Sequence, residues 1–140
     1  MNQEKRILIA EDDEADIVLM HILLEKCGVA EQVMVTRDGE ETLDYLHCRG
    51  KYRDAPGLDP VLILLDLKMP KLSGLEVLRQ IRSDERLKTI PVVIFTSSLN
   101  EKDKVESLAS GATEFVVKPI DLDAYLLELE RILCTYAASC

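Results

Sequence analysis

The chain has 140 residues, of which 47% are hydrophobic and 31% are charged, and these values fit one globular domain with a real core. Its net charge of −9 argues against direct binding to nucleic acid or to an anionic membrane surface. No stretch has the length and apolarity of a spanning helix, and the N-terminus lacks the apolar segment of a signal peptide, so we expect a cytoplasmic protein.

Apolar runs and helical patterns alternate along the whole chain. In chain order the predicted strands are Arg6–Ala10, Gln32–Thr36, Val61–Leu65, Ile90–Phe95 and Glu114–Val117. The predicted helices follow them in the same order: residues 15–24, a helix capped by Asp38, one capped by Ser73, residues 100–110 and one capped by Asp121. In the fourth helix we expect the inward residues to be Val105, Leu108 and Ala109.

This alternation predicts an α/β fold, in which a parallel sheet carries helices on both faces through right-handed crossovers. For five strands the common arrangement is a flavodoxin-like, doubly wound (βα)5 sheet with strand order 2-1-3-4-5. The stretch Gly50–Pro60 contains two glycines and two prolines and predicts a long loop, which is either functional or an insertion.

Polar residues follow the C-terminal ends of four predicted strands. Glu11 and Asp12 follow the first strand, Asp66 the third, Thr96 the fourth and Lys118 the fifth. Because parallel strands all point the same way, these side chains should share one edge of the sheet. Three carboxylates repel one another unless a cation lies between them, and hard oxygen ligands suit Mg²⁺. A hydroxyl and an ammonium beside them suit phosphate oxygens.

The chemistry that needs all these groups is phosphoryl transfer to a carboxylate. Asp66 would be the nucleophile and become an aspartyl phosphate, while Thr96 and Lys118 would bind the phosphoryl oxygens. Each group also has a simpler explanation when it is taken alone. The acids could be a solvated helix entry or a turn cap, Thr96 an N-cap and Lys118 a surface charge.

The strand-end motifs resemble those of the receiver domain of two-component response regulators (CheY-like), over essentially the full length. They are Glu11-Asp12, Asp66 followed by Met69-Pro70 and Ser73-Gly74, Thr96-Ser97, and Lys118-Pro119. The resemblance implies that Asp66 takes phosphate from the phosphohistidine of a sensor histidine kinase. The protein would then be no enzyme beyond catalysing its own phosphorylation and dephosphorylation. The implied Mg²⁺ ligands are Glu11, Asp12, Asp66 and the backbone carbonyl of Lys68.

The same resemblance implies a conformational switch and an assembly. Thr96 would be the switch hydroxyl, and Phe115, three residues before Lys118, matches the family's switch aromatic; core packing of the fifth strand is the alternative for Phe115. A homodimer is expected through the fourth helix, fifth strand and fifth helix, where the candidate contact residues are Phe115, Tyr125, Leu127 and Tyr136. Residues 1–140 would form a single receiver domain with no output domain.

The long loop and the acidic run Glu11–Asp16 resemble a narrower group, the single-domain regulators that serve cyanobacterial phytochromes. Three other functions stay open. A receiver-like scaffold could bind partners without phosphorylation. A phosphatase could use the aspartate nucleophile, although haloacid-dehalogenase-like enzymes have a second aspartate where Lys68 stands here. A flavin or nucleotide binder would need a glycine-rich loop after the first strand, where four acids stand instead.

Overall fold

The computed structural model of the chain describes residues 6–54 and 59–139. Strands and helices alternate through these residues. The strands are β1 (Ile7–Ala10), β2 (Val33–Thr36), β3 (Leu62–Leu65), β4 (Val92–Thr96) and β5 (Glu114–Val117). The helices are α1 (Glu14–Lys26), α2 (Gly39–Leu46), α3 (Gly74–Arg82), α4 (Glu101–Ala109) and α5 (Leu122–Ala137). Within the described ranges no helix combines the length and the apolarity that a membrane crossing requires.

The five strands form one parallel sheet in the order β2-β1-β3-β4-β5, which confirms the predicted flavodoxin-like arrangement. The register aligns the ends of the central strands, since Leu65 lies opposite both Ala10 and Ile94. On the other side of β4, Thr96 lies opposite Val117. Residues that directly follow β1, β3 and β5 are therefore brought to the same edge of the sheet as Thr96.

Helices cover both faces of the sheet, and successive strand residues point to opposite faces, so there are two apolar layers. The layer under α1 and α5 includes Ile9, Leu24, Leu64, Phe95 and Leu129. The layer on the other face, under α2 and α3, includes Leu8, Leu43, Ile63, Leu78 and Ile94. Strands β1, β3 and β4 are buried along their whole length, because each lies between two neighbours and under both layers.

A side-chain cap begins every one of these helices. The capping residues are Asp13, Asp38, Ser73, Asn100 and Asp121, and each accepts a hydrogen bond from a backbone N–H of the first turn. The predicted caps at Asp38, Ser73 and Asp121 are confirmed. The first helix starts slightly earlier than predicted, because Asp13 caps it and Glu14 already belongs to its first turn.

The orientation of α4 differs from the prediction. Val105 and Leu108 are 56% and 44% exposed and Ala109 is also exposed, so the expectation that these three point inward is wrong. The buried residue is Ser107, with no exposed surface. α4 contacts β5 and α3, and a small side chain at Ser107 lets the helix backbone approach them closely. Apolar side chains on the opposite side of α4 are left at the surface.

The long loop after α2 is anchored to that helix. Gly50–Tyr52 form a single 3-10 turn, and the Tyr52 hydroxyl donates to Glu41 Oε2 at 2.5 Å. The Tyr52 ring also meets Tyr45 edge-on, with ring centroids 5.2 Å apart. The middle of the predicted loop, residues 55–58, lies outside the described residues.

Candidate functional site

An open cleft lies at the C-terminal edge of the sheet, where β1, β3, β4 and β5 end. Its lining residues are Glu11, Asp12, Asp13, Asp16, Asp66, Lys68, Thr96, Ser97, Ser98 and Lys118. We call it the acidic cleft. The structure therefore brings together every predicted site residue except Phe115, which lies on β5 outside the cleft.

Three carboxylates in the acidic cleft have the spacing of a metal site. Each of the three residues contributes one carboxylate oxygen, and these oxygens lie within 4.8 Å of one another; the residues are Glu11, Asp12 and Asp66. Burial, with a smaller contribution from the Asp66 charge, raises the pKa of Glu11 to about 7 against the opposing effect of Lys118. Negative charges held this close together destabilise one another, and a divalent cation between them would relieve this. An all-oxygen set with an open side fits Mg²⁺, which keeps water ligands.

Asp66 is fixed in place by the turn that connects β3 to α3. Its backbone N–H donates to Ala10 O at 3.1 Å, and its Oδ1 accepts from Leu67 N at 2.8 Å. Gly74, the first residue of α3, lies so close that a Cβ there would be 2.0 Å from Asp66 O. Glycine at this position therefore allows α3 to begin directly behind the aspartate, and the second carboxylate oxygen of Asp66 remains for the cleft.

Lys118 is a buried cation surrounded by acids. Its Nζ lies 2.6 Å from Glu11 Oε1, 2.8 Å from Asp16 Oδ2 and 3.9 Å from Asp66 Oδ2. Burial disfavours the ammonium, but hydrogen bonds to Asp16 and Glu11 outweigh it and raise the pKa of Lys118. The residue is therefore charged at neutral pH and cancels part of the negative charge of the cleft.

The contact between Asp16 and Lys118 is one that the sequence analysis does not single out. The two residues are 102 positions apart, and no local pattern connects them. The one available signal is that Asp16 ends the acidic run Glu11–Asp16 and lies in the first turn of α1, close in sequence to the predicted metal ligands.

Thr96 closes the cleft on the β4 side. It is 2% exposed, and its Oγ1 accepts a hydrogen bond from Ser98 N at 3.2 Å. Ser98 Oγ in turn donates to Asp103 Oδ2 of α4 at 2.6 Å and accepts from Asn100 N at 3.2 Å. Side-chain hydrogen bonds thus hold the β4–α4 loop in one arrangement.

Phe115 lies opposite Ile94 in the sheet and packs, half-buried, on the apolar layer under α2 and α3. This position is neither fully inward nor fully exposed. Core packing explains the contact, and the role of Phe115 as a switch stays a prediction.

Comparisons with known proteins identify the family to which this fold and sequence belong. A family model described as the response regulator receiver domain matches residues 7–130. The response regulator Rcp1 of Synechocystis sp. is 41% identical over 121 residues, which cover 86% of this chain and 81% of that protein. The crystal structure of the phosphorylated cyanobacterial phytochrome response regulator RcpA has a TM-score of 0.89 at 36% identity, covering 99% of this chain and 97% of that one. The Mn²⁺-bound form of Rcp1 gives a TM-score of 0.83 at 35% identity, covering 93% of this chain and 92% of that one. This chain therefore belongs to the family of response regulator receiver domains.

Proposed function

We propose that this receiver domain accepts a phosphoryl group from a sensor histidine kinase on Asp66, in a Mg²⁺-dependent reaction, and changes conformation as a result. The observation that carries the proposal is the position of Asp66 between a buried ammonium group and two other carboxylates. One of its oxygens lies 3.9 Å from the buried ammonium of Lys118, and its carboxylate belongs to the trio within 4.8 Å. Membership of a phosphorelay family and the phosphorylated form of RcpA support it.

In this reaction the free oxygen of Asp66 attacks the phosphorus of the kinase phosphohistidine. The new oxygen–phosphorus bond forms as the phosphorus–nitrogen bond breaks, and the histidine nitrogen keeps the electron pair. Lys118 and Thr96 would each hold a phosphoryl oxygen. Glu11, Asp12, Asp66 and the carbonyl of Lys68 would hold Mg²⁺, which when bound neutralises charge on the phosphoryl group. The Mn²⁺-bound form of Rcp1 supports a divalent cation here.

The proposal is tested with acetyl phosphate as the donor. The purified protein should become labelled only when Mg²⁺ is present, and Asp66→Asn should abolish labelling because the nucleophile is gone. Asp44→Asn, which alters an aspartate of α2 outside the acidic cleft, is the matched control and should label normally. Undiminished labelling of Asp66→Asn would contradict the assignment. Sustained turnover of a phosphate ester would indicate a phosphatase instead.

The metal ligands can be tested in the same assay. Replacing Glu11 and Asp12 together by alanine removes two of the three clustered carboxylates, so the stimulation by Mg²⁺ should disappear. A double variant that keeps the full stimulation would show that these acids are not the ligands.

The proposed switch begins at Thr96. A phosphoryl group brings about two negative charges to the cleft. The short Thr96 side chain reaches it only if the β4–α4 loop moves inward, and Phe115 would turn further inward behind it. Thr96→Ala should still be phosphorylated, but the NMR shifts of Phe115 should no longer respond. A full response in Thr96→Ala would exclude the hydroxyl as the coupling group.

We further propose that two copies pair through α4, β5 and α5, with different contact residues from those the sequence suggests. Tyr125 is 3% exposed, Phe115 and Tyr136 are half-buried, and of the four candidates Leu127 alone is largely exposed. The exposed large apolar side chains of α4, β5, α5 and the β5–α5 loop are Val105, Leu108, Val117, Ile120, Leu122 and Leu127, of which Leu127 lies beside the end of α1. Ile120→Asp should therefore shift sedimentation toward the monomer, whereas Val18→Asp on α1 should not. Equal sedimentation of wild type and Ile120→Asp would contradict this surface.

The kinase partner is proposed from the relatives. Rcp1 and RcpA are similar over most of this chain, and RcpA is a cyanobacterial phytochrome response regulator, so we propose a phytochrome kinase as partner and the cytoplasm as the location. Phosphotransfer from a panel of purified histidine kinases tests this, and preferential transfer from a kinase that is not a phytochrome would contradict it.

A further inference from the structure

Tyr125 carries a buried polar group with an unusual position. The residue is in the first turns of α5 and is 3% exposed, and its hydroxyl has no hydrogen-bond partner among the described residues. Its ring meets Phe95 edge-on, with centroids 5.3 Å apart, and Phe95 directly precedes Thr96. Buried hydroxyls are normally hydrogen-bonded, and an unsatisfied one destabilises the folded state that contains it.

The charges that act on this hydroxyl belong to the acidic cleft. Burial, followed by the negative charges of Asp16, Glu11 and Asp66, raises the pKa of Tyr125. The hydroxyl therefore keeps its proton. Asp16 lies in the first turn of α1, and α1 packs against α5, the helix that carries Tyr125. A neutral hydroxyl is a suitable donor to such a carboxylate.

Asp16 needs a hydrogen-bond donor, whereas the Tyr125 hydroxyl needs an acceptor. In this structure its carboxylate accepts a hydrogen bond from Lys118 at 2.8 Å. When Lys118 turns toward a phosphoryl group on Asp66, as the proposed function requires, Asp16 gives up this donor. Tyr125 then has a donor without an acceptor, and Asp16 has an acceptor that has lost its donor. A single hydrogen bond from the Tyr125 hydroxyl to the Asp16 carboxylate satisfies both groups.

We propose that Tyr125 is a positioning residue for phosphorylation: its hydroxyl donates to the Asp16 carboxylate and thereby releases Lys118 to bind the phosphoryl group. The inference rests on the proposed function. Because the hydroxyl is unsatisfied before phosphorylation and satisfied after it, Tyr125 favours the phosphorylated state over the resting one.

The test uses beryllofluoride, a stable mimic of a phosphoryl group on aspartate, with Mg²⁺ and ¹⁹F NMR as the measure of binding. Tyr125→Phe should bind it about tenfold more weakly, the effect of losing one hydrogen bond to a charged group. Without beryllofluoride, the melting temperature of the variant should be equal or higher, because the removed hydroxyl has no partner in the resting state. A purely structural role would lower the melting temperature instead.

Tyr136→Phe is the matched control. It removes a hydroxyl from the same helix, but this hydroxyl donates to Glu114 at 2.7 Å, outside the acidic cleft. Its affinity for beryllofluoride should stay within about twofold of wild type, since no group of the cleft changes.

Dependence on Asp16 is tested by a double-mutant cycle. In an Asp16→Ala background, Tyr125→Phe should change the affinity by no more than about twofold. The ¹³Cζ resonance of Tyr125 should also move on addition of beryllofluoride, and should not move in Asp16→Ala.

Two results would overturn the inference: an unchanged affinity in Tyr125→Phe, or an equal loss in the Asp16→Ala background. If the wild-type protein neither binds beryllofluoride nor accepts phosphate on Asp66, the proposed function fails and this inference with it. If the wild type does both and Tyr125→Phe matches it, only this inference fails.

Discussion

The neighbouring helices α3 and α4 are both nine residues long, and each begins at a side-chain cap, yet they bury opposite kinds of residue. α3 buries Val77, Leu78 and Ile81 completely in the apolar layer it shares with α2. α4 instead buries Ser107 and leaves Val105 and Leu108 largely exposed.

The difference shows that two helices of the same length, each with a side-chain cap, can contribute very differently to the stability of the fold. Each fully buried large aliphatic side chain contributes about 1.5–3 kcal/mol to folding, so α3 is part of the stable core. α4 has little such burial, and polar contacts such as the one between Ser98 and Asp103 hold its first turn. An element held in this way belongs to the part of a protein that opens at low free energy, as a conformational switch requires.

The largest expected effect is on α3, and the same leucine-to-alanine substitution on α4 serves as its comparison. Leu78→Ala should lower the free energy of unfolding by about 3 kcal/mol, because it leaves a cavity in the core. Leu108→Ala should change it by less than about 0.5 kcal/mol, because the side chain is already 44% exposed. Urea unfolding of both variants measures this, and similar losses would abolish the distinction between the helices.

A second prediction concerns the end of α3, which fixes the turn after α4. Arg82 donates to Gly111 O at 2.7 Å and to Ile90 O at 2.8 Å, with further bonds to Lys88 O and Thr113 Oγ1. Arg82→Ala should cost about 2 kcal/mol of stability, since partly buried carbonyl groups lose their donors.

The control for Arg82 lies one turn earlier on the same helix. Arg79 makes a single exposed hydrogen bond to Ser110 Oγ at 3.3 Å, so Arg79→Ala should be nearly neutral in the same unfolding experiment. Equal losses from the two arginines would mean that the contacts of Arg82 contribute no more than a surface bond.

A smaller effect is expected at the start of α4. Asp103→Ala removes the acceptor of the 2.6 Å bond from Ser98 and should cost about 1 kcal/mol or less. Locally, amide hydrogen exchange over residues 97–100 should rise about fivefold, the equivalent of this energy, while exchange in α3 stays unchanged. Lys102→Ala, on the same turn, is the control. Unaltered protection of the loop in Asp103→Ala would show that this bond does not hold it.

The smallest effect concerns α2 and its loop. Burial alone would raise the pKa of Glu41, but hydrogen bonds from Tyr52, from Arg37 N and from Lys51 outweigh it and lower the pKa. Since the folded-state pKa lies below the unfolded one, the stabilisation is complete above the unfolded value and is lost as the pH falls through the folded value. Glu41→Gln should therefore cost about 0.5 kcal/mol at neutral pH and much less near about pH 3.

This pH dependence is measured by urea unfolding at the two pH values. Glu40→Gln is the control, because Glu40 is exposed and next in sequence. A constant difference between wild type and Glu41→Gln at both pH values would exclude ionisation of Glu41 as the source of the stabilisation.

The sequence predicts the sheet well, because its signals are local. Leu62–Leu65 are buried on both faces, so the apolarity of such a run alone identifies a strand, and the alternation of strands and helices restricts the topology. The shared edge of Glu11, Asp66 and Lys118 then follows from the parallel direction of the strands.

The features that the sequence does not predict depend on contacts between distant elements. The spacing of Val105 and Leu108 predicts an apolar face of α4, but which face meets the sheet is decided by how closely the helix approaches it. Small Ser107 allows the close approach. Asp16 of α1 is missed for a similar reason, because its partner Lys118 follows the distant strand β5. The surroundings of Tyr125 also appear only when α1 and α5 lie side by side.

The bond between Lys118 and Glu11 has a consequence for the order of events during protein synthesis. The two residues are 107 positions apart, and chains are synthesised and begin to fold from the N-terminus. Glu11, Asp16 and Asp66 therefore emerge from the ribosome well before the cation that neutralises them. A nascent chain that has exposed Asp66 still lacks Lys118, so its acidic cleft is incomplete. The charge balance of the cleft is in this way reached only by chains whose last strand has joined the sheet.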